Sequence, residues 1–164
     1  WDMSADLENI GYLNGVDEYR GHVVGINLSK KKLEGDFPEE ILDFPYLETI
    51  NLRENNLSGD LPTIIKEKIT EISTEYPDSI LRIKSIDVAG NHLTGNVGKL
   101  ASLSQLANLD TFIGDNNMFD ELTPELPYIT SLSLKEQEID KEIEIDFNNT
   151  EVALCLLFIF VLFI

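Results

Sequence analysis

The sequence predicts an α/β solenoid of about five short repeats, with short parallel strands on a concave face and an irregular or helical convex side. Two observations carry that prediction. A block of apolar, Gly and Pro residues recurs at a fixed offset of 24. Within each block, apolar and polar residues alternate over a few positions, as in a strand with one buried face.

The first copy places Val23, Ile26, Leu28, Leu33, Gly35, Phe37, Pro38 and Ile41 on Leu47, Ile50, Leu52, Leu57, Gly59, Leu61, Pro62 and Ile65 of the second. A third copy, Ile83, Ile86, Val88, Asn91, Leu93, Gly95 and Val97, follows at an offset of 36 because an extra segment intervenes. A fourth reads Leu109, Phe112, Gly114, Asn117, Phe119 and Pro124. A fifth reads Ile129, Leu132, Leu134, Gln137, Ile139 and Ile143, and both rest on spacing more than identity.

Each unit has the form L-x-x-L-x-L-x-x-N-x-L. Asn55, Asn91 and Asn117 fall just after the alternating strand, where a side-chain amide satisfies turn backbone of its own coil and the next, and they are expected to form a ladder. Lys31 and Gln137 stand at that position in the first and fifth copies. No unit buries its apolar side alone, so stacking makes the strands one sheet and the leucines one core.

The stretch Thr63 to Arg82 sets Ile64, Ile65, Ile69, Ile72 and Tyr76 at three-to-four spacing, which predicts an amphipathic helix packed on the convex side and stopped by Pro77-Asp78. The expected organisation is a capping segment over 1–21, repeats over 22–146 with a helical insertion at 63–82, and an apolar tail over 147–164.

These copies resemble leucine-rich repeats. Leu33-Glu34-Gly35-Asp36-Phe37-Pro38 and Leu57-Ser58-Gly59-Asp60-Leu61-Pro62 are similar to the L-x-G-x-I/L-P variant of plant-type receptor ectodomains, also seen in bacterial surface proteins. The third copy keeps Leu93-Thr94-Gly95 but carries Gly98 in place of Pro. Trp1, Asn14-Gly15-Val16 and the run from Gly21 to Leu28 resemble the cap that precedes such repeats, with Leu13 where the family often has Trp. The cap cysteines of plant members are absent, which points to a bacterial-type member. The resemblance implies a surface-exposed domain that binds a macromolecule.

Composition narrows the function. Apolar residues form 43% of the chain, which predicts a folded core, and 30 acidic against 12 basic residues give a net charge of −18. Such a surface repels phosphate backbones and no Lys/Arg run is interleaved with aromatics, so nucleic acid is not an expected partner. The acids, densest over Glu136 to Asp146, read as a solvated surface. The lone Cys155 permits no internal disulfide and reads as a packed hydrophobe. No signal peptide is visible at Trp1, and a first residue other than Met suggests a processed, trimmed or incomplete chain.

Catalytic and metal-binding constellations are not found. His22 and His92 are the two histidines, there is no H-E-x-x-H, Cys/His cluster or G-x-S-x-G, and no cofactor is expected. Asp115-Asn116-Asn117 with Asp120-Glu121 lacks EF-hand spacing and its glycine. Carboxylates at solvated positions supply no paired-acid geometry by composition alone. The chain is therefore expected not to be an enzyme.

Recognition is expected on the outward positions of the strands. The middle column is Asn27, Asn51, Asp87, Ile113 and Ser133, and the next is Ser29, Arg53, Ala89, Asp115 and Lys135. The binding candidates are Asn27, Ser29, Asn51, Arg53, Asp87, Asp115 and Lys135, with Arg53 the one residue of the type that anchors interfaces. Sequons at Asn27, Asn56 and Asn148 occur at a frequency that chance explains.

The apolar run Val152 to Ile164 would span roughly 20 Å as a helix, short of the about 30 Å of bilayer hydrocarbon. Three readings stay open: a membrane helix cut off by the end of the chain, a cover for the solenoid's open end, and an unrelated terminus. The partner expected is a protein, with a glycan as second candidate, membrane association through 152–164, and oligomeric state open. The location expected is extracellular or the cell surface. The alternative is an intracellular structural repeat protein without a dedicated ligand.

Overall fold

The computed structural model describes residues 14–76, 80–120 and 129–137. Trp1, Leu13, the expected stop at Pro77-Asp78, Pro124, Ile139, Ile143, Asn148, Cys155 and the tail 147–164 lie outside the described residues.

The chain winds into stacked coils, each contributing one strand to a six-stranded main sheet. Its strands are β1 (Val16–Tyr19), β2 (His22–Asn27), β4 (Thr49–Asn51), β6 (Ser85–Asp87), β8 (Thr111–Ile113) and β10 (Ser131–Ser133), in that spatial order. From β2 onward the pairing is parallel, and Ile26, Ile50, Ile86, Phe112 and Leu132 align across five coils. Strand β1 pairs antiparallel with β2 through a register shift at Asp17/Glu18, and covers the sheet edge that would otherwise be open. Gly25 has no room for a side chain beneath this hairpin, because a Cβ there would meet Asp17 Oδ2 at 2.6 Å and Thr49 Oγ1 at 2.8 Å.

The inward residues of successive coils merge into one core. Leu52, Leu61, Ile65, Ile86, Leu93 and Phe112 are fully buried, and each such side chain stabilises the fold by about 1.5 to 3 kcal/mol. The fourth coil carries Gly114 where the second and third carry Leu52 and Val88. The space is filled by Phe112, Phe119 and Leu134, whose atoms lie within 3.0 Å of where a Gly114 Cβ would sit.

A second sheet, unanticipated from the sequence, runs along the flank. It comprises β3 (Glu34–Asp36), β5 (Asn56–Asp60), β7 (His92–Gly95) and β9 (Met118–Phe119), all parallel. The repeating Gly35, Gly59 and Gly95 lie in it at φ of +96°, +99° and +100°. That backbone is one that side-chain-bearing residues rarely adopt and glycine takes freely, which is why the L-x-G signature recurs. Parallel strands thus run along this flank as well as through the main sheet.

Helix α1 (Leu61–Glu75) occupies the insertion, starting two residues before the expected 63–82 segment and inside the repeat signature itself. Asp60 caps it by accepting from the Thr63 N–H at 2.9 Å, and Pro62 lies in the first turn, where its missing N–H costs nothing. Leu61, Ile65 and Ile69 are buried and Ile64 and Ile72 half-buried. The helix packs against the 3-10 segments Glu39–Asp43 and Val97–Ser102 of the flanking coils, so the insertion enlarges one coil's outer arc without breaking the stack.

Candidate functional site

Two structural devices hold the outer face of the main sheet rigid. The first is the asparagine ladder. Asn91 accepts from Leu57 N–H at 3.0 Å and donates to Leu52 O at 3.0 Å and Val88 O at 2.8 Å, all buried. Asn117 accepts from Leu93 N–H and donates to Val88 O and Gly114 O. Asn55 accepts from the N–H groups of Lys31 and Leu33 and donates to Leu28 O and Leu52 O. Gln137 makes the same pattern one coil on, accepting from Phe119 N–H and donating to Gly114 O. Each amide thus bridges two coils in the buried turn after the strand.

The second device is the residue before the ladder position. Lys30, Glu54, Gly90, Asn116 and Glu136 all have φ between +53° and +69°. Only glycine and asparagine suit that backbone readily, so three coils hold a charged residue in it at a cost of about 1 kcal/mol each. Lys30 and Glu54 face each other across the coils at 3.2 Å, which offsets part of that cost at a solvated surface.

The outward candidates are less free than their positions imply. Asn27 Oδ1 accepts from Ser29 N–H and Ser29 Oγ–H, Asn51 Oδ1 from Arg53 N–H at 3.1 Å, and Asp87 Oδ1 from Ala89 N–H at 3.1 Å. These are local turns that end the strands. Asp115 accepts from Lys135 N–H and Ser133 Oγ–H, both at 2.7 Å. Arg53 reaches Asp87 at 3.7 Å and Glu54 at 3.3 Å, so the expected anchor sits in an ion-pair chain with Lys30. Lys30 and Arg53 hold the Glu54 carboxyl below its usual range, Lys30 contributing most.

A second group of side chains meets at the edge where the strands begin. There the residue before each first buried position is His22, Tyr46 and Arg82 in consecutive coils. The His22 and Tyr46 rings stack at 3.9 Å, and the Arg82 guanidinium lies 4.6 Å from the Tyr46 ring centroid. In the neighbouring hairpin Arg20 lies over Tyr19 at 5.1 Å, and Tyr19 pairs directly with His22. Reading only the two columns after the buried strand residues missed this one. The same offsets of 24 and 36 applied one place before Val23 reveal it.

Among the described residues no three His, Cys, Asp or Glu side chains gather to hold a metal ion, and no helix is long and apolar enough to cross a membrane.

Comparison with known proteins agrees with this geometry. The Leucine Rich Repeat family model matches residues 46–67, the second coil. The chain is 26% identical over 107 residues to receptor-like protein kinase 7 of Arabidopsis thaliana, covering 65% of this chain and 10% of that protein. It is 28% identical to mouse (Mus musculus) podocan over 76% of this chain and 23% of that protein. The chain thus spans under a quarter of either relative. The structure of the BIR3–SERK2 complex from Arabidopsis thaliana superposes with a TM-score of 0.62 at 22% identity, covering 85% of this chain and 71% of that one. At that identity the likeness is one of fold. With the stacked parallel strands and the matched second coil, it shows the α/β solenoid fold of leucine-rich repeats.

Proposed function

We propose that this chain is a non-catalytic repeat domain that binds a protein partner at a cell surface, using the outer face of the main sheet and the edge where its strands begin. The observation that carries the proposal is the His22–Tyr46–Arg82 column, which sets one tyrosine and one arginine, residue types that anchor interfaces, on a rigid stack spanning three coils. The outward Asn27, Asn51 and Asp87 are short, polar and tied to their own strand ends, so they supply shape more than energy. A receptor kinase among the relatives and a protein complex among the structural neighbours support the surface location and the protein partner.

We read the repeats as the L-x-G-x-L-P subclass, because the glycine of that signature occupies a backbone conformation that other residues rarely adopt. The bacterial character inferred from the cap draws no support from these plant and mouse relatives and is not part of the proposal.

The test is a binding array of purified secreted proteins and ectodomains from the source organism, probed with the wild-type chain and two variants. Tyr46→Ala combined with Arg82→Gln is expected to weaken a genuine partner by about tenfold or more. His92→Ala combined with Thr94→Ala, on the second sheet, is expected to leave it unchanged. A partner indifferent to the first variant would move the site off this edge.

A further inference from the structure

We infer that the edge formed by Tyr19, Arg20, His22, Tyr46 and Arg82 accepts an acidic, carboxylate-bearing segment of the partner protein. The inference rests on the protein-binding reading above and specifies its chemistry. In a chain of net charge −18 the third described arginine, Arg53, is in ion pairs with Glu54 and Asp87. Arg20 and Arg82 differ. Among the described residues neither guanidinium makes an ion pair or a side-chain hydrogen bond, and each has its central carbon over a tyrosine ring instead, at 5.1 Å for Arg20 and 4.6 Å for Arg82.

A cation–π contact with a ring uses the charge of the guanidinium and pairs none of its N–H donors with an acceptor. Those donors form a planar fork that matches a carboxylate with two parallel hydrogen bonds. The fork is also oriented in advance, because Tyr46 is itself held by His22 at 3.9 Å, so less side-chain freedom is lost when a carboxylate arrives. The Tyr19–His22 pairing across the hairpin brings the Arg20 pair beside the column, giving two forks at one edge.

An acidic polypeptide fits better than a nucleic acid. Nucleic-acid affinity grows with the number of phosphates neutralised, and two guanidiniums offer few such contacts, whereas two aligned carboxylates require no more than two forks. Long-range repulsion between an acidic segment and this chain is screened beyond about 10 Å at about 0.1 M salt, and the forks act well inside that distance.

The experiment is a titration of the full chain with a hexaglutamate peptide at about 0.1 M salt, followed by calorimetry and by the arginine side-chain Nε–H signals in NMR. Hexaglutamine and an oligothymidylate of similar length serve as comparisons. The expected result is saturable hexaglutamate binding that shifts the Arg82 and Arg20 signals. Binding should weaken by about tenfold in Arg82→Gln, a surface change that leaves the core intact, and should be unaltered in Lys66→Gln at an exposed position of α1. No saturable binding, equal binding in Arg82→Gln, or equal binding of the oligothymidylate each overturns the inference. An array partner lost on Tyr46→Ala but kept on Arg82→Gln, with no hexaglutamate binding, overturns it while leaving docking at this edge standing.

Discussion

Asn91 shows how much one side chain does in this fold. Replacing it with Ala leaves the Leu57 N–H without a partner in a buried turn and takes one of two amide donors from each of the Leu52 and Val88 carbonyls, and is expected to cost about 1 to 3 kcal/mol in urea unfolding. A loss below about 0.5 kcal/mol would mean that water or backbone movement substitutes for the amide. The glycines give a graded test of the second sheet. Gly35→Ala meets only unfavourable φ, since no atom lies within 4 Å of the added Cβ, and should cost about 1 to 2 kcal/mol. Gly95→Ala has the same backbone and also drives its Cβ to 2.5 Å from Asp60 Oδ1, so its loss should be larger by about 1 kcal/mol or more. Equal losses would show that Asp60 gives way. The asparagines and glycines were visible from the sequence because their chemistry repeats with the coil. The left-handed Lys30, Glu54 and Glu136 were not, since nothing in a charged side chain advertises a positive φ that stacking imposes.

Helix α1 was legible as an amphipathic segment, but its origin was not. Leu61 and Pro62 belong to the repeat signature, and only the Asp60 cap shows that the helix begins there. What the pattern concealed is Lys68, which reads as a polar-face residue yet has a side chain only 8% exposed, held by Asp43 at 3.0 Å and Glu71 at 3.3 Å. The Asp43 hydrogen bond raises its pKa above the usual lysine value of 10.5, outweighing the opposing effect of burial. A raised folded pKa contributes stability that is fully present below the unfolded value and is lost as pH rises through the folded one. Stability should therefore hold between pH about 7 and about 10 and fall beyond, as read by thermal unfolding. In Lys68→Met the stem still packs and Asp43 and Glu71 are solvated, so the cost should be about 1 kcal/mol or less and that part of the alkaline fall should disappear. An unchanged alkaline fall in the variant would assign it elsewhere. The second sheet escaped the sequence for a related reason: its strands are two to five residues long and three contain a left-handed glycine, which reads as a turn.

At the scale of the molecule the solenoid is a stack in which each coil rests on its neighbours, so charge acts on the whole column at once. A net charge of −18 over 164 residues makes self-repulsion a general destabilising force. Raising salt from about 0.01 M to about 0.2 M should raise the melting temperature, and a fall instead would mean that surface ion pairs dominate. The fold class was readable because stacking multiplies one short pattern five times. The contacts of the proposed docking edge were not, because the repeat offsets align His22, Tyr46 and Arg82 as unlike residues and only the stacked coils show them touching. Hydroxyl-radical footprinting of the chain, alone and with the partner recovered from the ectodomain array, tests directly whether that edge binds protein. Protection of His22 and Tyr46, with His92 on the second sheet and Tyr76 at the end of α1 still reactive, is the predicted result. Protection of His92 or Tyr76 with Tyr46 left reactive would contradict it.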